Sequence, residues 1–321
     1  MLNRFIKLVV TSLFTLQIGT AASANEYPDK PITIVFPNKA GSGYHNILLA
    51  LLEEVKDRVP QSVTVTAMPG AGTSAGTRFV QKKPDDGYTL SFIHEAIFTT
   101  SALGMLGFNT LDEFDPIARV NTTCGALWAH ADAPYDTLAE LAAYSVANPK
   151  SVRASINTGA ISHVEILSLI DLTGADLVPV HVGGGTSGFV QAALAGDVDV
   201  FSADPPSVKG LLDSGDIKAI TYYGSQRHSI LPDIGTIADQ KFGDRDLCIG
   251  GYFWIRKSAP EEAKTFWHDA IRDTMTDETV ARLSETLSVD FGFLGEPEIG
   301  PLVEEKFKIW SGLIKAAGIG N

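Results

Sequence analysis

Seven histidines occur in the chain, and His45, His94, His163 and His181 fall in or beside turns that follow apolar runs. Imidazole titrates near neutral pH, can donate to a carboxylate and can ligate a metal. Three uses are therefore open: a clamp on an anionic ligand, a metal site, or capping of nearby backbone. A metal needs two or three rings to converge, and no close Cys/His spacing of the zinc kind is present. Serine nucleophiles sit on a G-x-S-x-G elbow, and that motif is missing; "GTSG" (185–188) and "AGTSAG" (71–76) only echo it. The phosphate-cradling G-x-x-x-x-G-K-[ST] is also missing. Lys39 is the one cation of the first turn, and either pairs with a ligand carboxylate or stays solvated. No metal and no cofactor is expected.

Positioning these residues falls to strand–turn–helix units. "PITIVF" (31–36) reads as a buried strand, and the stripe Leu48, Leu51, Leu52, Val55 makes 44–59 an amphipathic helix. "SVTVTAM" (62–68) and "GYTLSFI" (87–93) are further strands, with a glycine-rich turn and a helix between them over 69–83. The middle repeats the plan: strands at 152–156, 177–182, 197–203 and 217–224, and helices near 163–172, 189–194 and 208–213. Helices are expected again at 260–276, 277–287 and 298–317. Alternating strands and helices imply parallel sheets. With no low-complexity linker, the chain is expected to build one α/β lobe, cross to a second, and return. Glycine-rich turns at 39–45, 69–76, 157–162 and 183–188, with a polar turn at 94–100, would then meet in a cleft. Such turns lie at the carboxyl ends of parallel strands, and the free N–H groups of the following helix make an anion site without cations. Any one turn alone is better explained by packing. The convergence of several is what suggests a ligand.

Arg4 and Lys7, an apolar run from Leu8 to Ile18 and the small residues Ala22-Ser23-Ala24 read as a signal peptide, residues 1–24, cleaved after Ala24. An uncleaved anchor is the alternative. Removing it leaves 297 residues, with 23 Lys and Arg against 38 Asp and Glu, a net charge near −15. So acidic a surface excludes nucleic acid and anionic membrane as expected partners. Cys124 and Cys248 either form one disulfide in an oxidising compartment or remain two buried thiols.

The stretch "YPDKPITIVFPNKAGSGYHNILLALLEEV" (27–55) resembles the opening of the Bug family, periplasmic receptors of tripartite tricarboxylate transporters. "MPGAGTSAG" (68–76), "PDDGYTL" (84–90), "GDVDVFSADPPSVKGLLDSGDIKAI" (196–220) and "SQRHSILPDIGTIAD" (225–239) resemble further family blocks in order and spacing. Departures exist. His45 stands where the family has aspartate and Tyr44 where it has Ser or Thr; Gly183 replaces a common lysine and Gly235 a common proline.

The resemblance implies a type II periplasmic binding protein fold: lobe 1 from 25–125 and 248–321, lobe 2 from 126–247, joined by a two-segment hinge. It implies a small carboxylate-bearing organic anion in the cleft, delivered by a monomeric receptor to membrane transporter subunits. Implied contacts in lobe 1 are Lys39, Gly41, Ser42, Gly43, Tyr44, His45, His94 and Glu95. In lobe 2 they are Ser155, Asn157, Thr158, Gly159, Ala160, His163, Gly184, Gly185, Thr186, Ser187 and Asp204. Glu95 and Asp204 would accept from a ligand hydroxyl or amine, orient a histidine, or face away. The family plan puts both cysteines on crossing strands, where a bond closing so long a loop would contribute about 4–5 kcal/mol. Rival functions are an exported hydrolase or lyase using cleft His and Glu/Asp, and a ligand-sensing subunit of a membrane signalling system.

Overall fold

The computed structural model describes residues 27–319, so the signal-peptide reading lies outside the described residues. Strands β1 (Ile32–Phe36), β2 (Val63–Ala67) and β3 (Thr89–Ile93) alternate with helices α1 (Gly43–Val55), α2 (Ser74–Gln81) and α3 (Ala96–Ala102). A one-turn helix α4 (Thr110–Glu113) leads into β4 (Phe114–Thr123) and β5 (Ala126–His130). There follow α5 (Leu138–Ala147), β6 (Val152–Ile156), α6 (Ile161–Thr173), β7 (Leu177–His181), α7 (Gly185–Leu194), β8 (Val200–Ala203), α8 (Pro205–Ser214) and β9 (Ile217–Tyr222). The chain continues through β10 (Ile249–Arg256), α9 (Glu261–Thr274), α10 (Asp277–Leu287), β11 (Asp290–Leu294) and α11 (Ile299–Ala316).

Two sheets result. The first has six strands in the order β11-β4-β10-β3-β1-β2, the second five in the order β7-β6-β8-β5-β9. β1, β2 and β3 are parallel, as are β6, β7 and β8, because helical crossovers join them. The remaining strands are antiparallel to their neighbours: β10 to β3 and β4, β11 to β4, and β5 to β8 and β9. The chain leaves the first sheet at β4 and re-enters it at β10, so the late helices pack on the first sheet.

Period-two alternation divides each sheet between two apolar layers. Ile32, Ile34 and Phe36 join Leu48, Leu51, Trp267 and Ile271 on one face of the first sheet, while Val35 and Trp254 join Phe98, Trp310 and Ile314 on the other. In the second sheet, Leu127 and Ala129 face α5 and α6, and Ala126 and Trp128 face α7 and α8. Val164 of α6 belongs to the Phe98–Trp310 layer, so the two halves touch through apolar side chains.

The crossings lie side by side. Thr123 pairs with Ile249 in the β4–β10 ladder, and the residues just beyond, Cys124 and Cys248, form a disulfide with Cα atoms 4.2 Å apart.

Candidate binding site

A cavity of about 780 Å³ opens between the sheets. Its walls are the segments that follow β1 (Pro37–Lys39), β2 (Pro69–Thr73) and β3 (His94, Ala96, Thr99, Thr100, Leu103) in one half. The other half supplies those following β6 (Asn157–Ser162, Glu165), β7 (Gly185, Thr186, Phe189) and β8 (Asp204). The ends of the crossing strands, Thr123 and Ile249, form its back. Every parallel strand thus sends its carboxyl end here, where ligands bind in open α/β sheets.

In the second half two helices, α6 and α7, open into the cavity without side-chain caps, as α2 and α3 do in the first. α6 starts after Ala160 and α7 after Gly184, and neither capping residue bonds its helix through a side chain. The first-turn amides of Ile161, Ser162, Gly185 and Thr186 therefore face this space with the positive end of a helix dipole behind them. By contrast α5 and α10, away from the cavity, are capped by Thr137 and Thr276. Missing caps alone decide nothing, since α9 and α11 also lack them. α8 differs: Asp204 caps it, accepting from the Ser207 N–H at 3.2 Å and the Ser207 hydroxyl at 2.6 Å.

Charges on the walls are few. Lys39 is an exposed cation, and Glu165 and Asp204 are acids. Glu165 is 9% exposed, and burial pushes its carboxyl up to about 7; the Ser202 hydroxyl opposes that shift and the Asp204 charge adds to it. His94 is half-buried, and desolvation holds it down to about 4, only weakly offset by Glu95. Its Nδ1 accepts the Ala96 N–H at 3.2 Å, which leaves the ring proton of the neutral form on Nε2.

The model of the family described as "Tripartite tricarboxylate transporter family receptor" matches residues 47–319. The chain belongs to this family of receptors. Among curated relatives it is similar to BugT of Bordetella pertussis, 27% identical over 240 residues, 72% of this chain and 73% of that protein. An uncharacterised-family protein of Agrobacterium vitis is 24% identical over 280 residues, 87% of this chain and 80% of the other. A Polaromonas TctC solute-binding protein, solved with no ligand, superposes with a TM-score of 0.77 at 22% identity, covering 90% of this chain and 99% of the other. MatC of Rhodopseudomonas palustris, solved with bound malate, gives a TM-score of 0.68 at 22% identity, with 90% and 100% coverage. These likenesses fix the fold as that of the two-lobed periplasmic binding proteins. Among the described residues of this receptor no helix is long and apolar enough to cross a membrane.

The receptor brings Lys39, His94, Asn157, Thr158, Gly159, Ala160, Gly185, Thr186 and Asp204 to the cavity wall. It does not bring the other sequence candidates there. Glu95 turns inward as a fully buried ion-pair partner of Lys306, 3.0 Å away. Ser155 is buried within β6. Gly41, Ser42 and Gly43 stand at the start of α1 outside the lining, and the two glycines are exposed. Tyr44 backs His94 instead, with ring centroids 4.8 Å apart, and its phenol pKa is raised by burial. Gly184 and Ser187 flank lining residues without lining the cavity themselves.

The histidines explain much of this correction. His45 Nδ1 accepts the Gly41 N–H at 3.3 Å, His163 Nδ1 the Gly159 N–H at 3.2 Å, and His181 Nδ1 the Thr158 N–H at 3.2 Å. The Asn157 and Ala160 amides are also bonded, to Ser162 Oγ and Asn157 O. Turns expected to offer bare amides to a ligand satisfy those amides internally, and the free donors shift into the first turns of α6 and α7. Thr73, Thr99 and Thr100 lie in turns expected at the cleft but not among the expected contacts, and Phe189 and Glu165 were missed altogether. A usable signal existed for Glu165: it lies four residues after Ile161, on the same helix face. Among the described residues no group of three His, Cys, Asp or Glu is placed to hold a metal ion.

Proposed function

We propose that this receptor captures a small carboxylate-bearing organic anion in the cavity and presents it to the membrane subunits of a tripartite tricarboxylate-type transporter. The observation that carries the reading is the wall itself: the uncapped first turns of α6 and α7 open toward one space that Lys39 and His94 border from the other half. A ligand carboxylate would accept from these amides and from His94 Nε2–H, with Lys39 adding charge. Relatives of the same fold solved with malate and with adipate support a carboxylate. The working division is lobe 1, 25–125 with 248–321, and lobe 2, 126–247, closing on the ligand as a monomer. Capture without chemical change is the expected outcome. Thermal-shift and calorimetric screens over organic acids, followed by mass analysis of the recovered ligand, test it. A ligand recovered altered would point to an enzyme, and no stabilisation by any carboxylate would overturn the reading.

A further inference from the structure

We propose that the ligand carries, besides its carboxylate, a protonated nitrogen that seats against Glu165, so that the receptor selects amino-carboxylates over dicarboxylates. This rests on the carboxylate reading above and narrows it. Glu165 sits one helical turn beyond the α6 amides that would hold the carboxylate, and its side chain is nine-tenths buried in the cavity wall. Its polar neighbours are the Ser202 hydroxyl, the Asp204 carboxylate and the Tyr223 hydroxyl. Ser202 is itself bonded to Tyr223, with 2.7 Å between their oxygens. No Lys or Arg among the described residues forms an ion pair with Glu165, in contrast to the many paired acids elsewhere in the molecule.

A carboxylate withdrawn from water without a counter-ion is unfavourable unless it is protonated or a partner supplies the charge. No described Lys or Arg supplies that charge to Glu165, whose buried side chain borders the cavity, so a guest that brings a cationic donor would supply it. Asp204 strengthens the field, while its own carboxylate is engaged by Ser207. With two acids and one exposed lysine on the wall, a second carboxylate on the ligand would meet like charge at this end. An ammonium would meet attraction. Leu103, Met105, Phe189 and Ile249 line the same cavity and suit a hydrocarbon body between the two charged groups.

The test is a calorimetric comparison of matched unbranched acids of about three to eight carbons, in the size range such cavities accept. Each set contains an alkanoate, an α,ω-dicarboxylate and an ω-aminoalkanoate. In the wild-type protein the amino member of the best-fitting set is expected to bind about tenfold tighter than either companion, or roughly 1.4 kcal/mol. In Glu165→Gln that advantage should vanish and the dicarboxylate should gain. A dicarboxylate tightest in every set, or an unchanged ranking in Glu165→Gln, overturns the proposal while leaving the receptor reading intact. Failure of every member of every set to bind protein shown to be folded by circular dichroism overturns both.

Discussion

Two glutamates flank the cavity, and their surroundings are opposite. Glu95, at the β3–α3 corner, is completely buried and fully provided for: Lys306 Nζ lies 3.0 Å from Oε1, the Tyr252 hydroxyl donates at 3.0 Å and the Gly250 N–H at 2.9 Å. Glu165, on α6, is nearly as buried, has a hydroxyl for a neighbour and opens onto the cavity. A buried charge with its partners in place belongs to the frame. One left without a counter-ion beside a cavity is available to a guest. The first arrangement also reaches the hinge, because Lys306 bonds Asp246 at 3.1 Å and the carbonyl of the disulfide residue Cys248. Lys306 thus ties α11, the cavity corner and the returning crossing segment together.

Breaking that frame should produce the largest effects. Replacing both cysteines by alanine opens a covalent loop with a sequence separation of 124 residues. Loop entropy puts the loss at about 4–5 kcal/mol, measurable as a fall in the urea midpoint. A double variant with wild-type stability would refute the bond. Lys306→Met comes next, at about 3–5 kcal/mol, because it strands Glu95 without its cation. Adding Glu95→Gln to Lys306→Met should restore most of that loss, since the amide oxygen can accept the Gly250 N–H while the Tyr252 hydroxyl turns to accept from the amide NH2. No rescue would mean that the lysine acts by packing alone.

Glu165→Gln should do the reverse and stabilise the free protein. The folded carboxyl is raised from 4.5 to about 7, so between those values the folded state holds a proton the unfolded state has released. Wild-type stability therefore falls as pH rises through this window, and glutamine removes the loss. The variant's advantage should be near zero at pH 4 and reach about 3 kcal/mol above pH 8. His94 acts in the opposite sense. Its folded pKa is lowered from 6.5 to about 4, so its contribution is present above 6.5 and lost as pH falls toward 4. In the wild type the two slopes oppose each other. Glu165→Gln should expose the His94 slope, with stability rising between pH 4 and 6.5. A flat profile for the variant would show that His94 is not held neutral by its packing.

The contrast between the two glutamates also marks what the sequence could reveal. The parallel strands and the turns after them were legible because buried β-branched runs and glycine are local signals. The antiparallel strands β4, β5 and β11 were not read as elements, since their positions depend on partners far along the chain. Glu95 is among the expected contacts, yet its partner lies 211 residues away, which no local pattern announces. The GGGTSG segment predicts a turn before a helix at Phe189, yet α7 begins at Gly185, so its amides belong to a helix terminus. Histidines at the turns were visible, but whether each ring caps backbone or faces a ligand depends on side-chain direction. All four accept a backbone N–H at Nδ1, and of the four His94 is the one that also lines the cavity.

The smallest expected effect tests whether the wall is made when the two halves meet. Gly159 has φ +73°, and an added Cβ would lie 2.6 Å from Leu103 Cδ1, which belongs to the opposite half. Gly159→Ala therefore joins two separable penalties. The left-handed backbone should cost about 1–2 kcal/mol of stability whatever its surroundings. The contact with Leu103 involves the end of a flexible side chain and matters only while the halves are together, so it should appear in ligand affinity, as a loss of about tenfold or less. Leu103→Ala in the Gly159→Ala background removes the contact and leaves the backbone strain. Affinity should then improve relative to Gly159→Ala while the urea midpoint shows no matching recovery. Recovery of stability without affinity would mean that Gly159 and Leu103 stay together in the open protein too, and that closure hinges elsewhere.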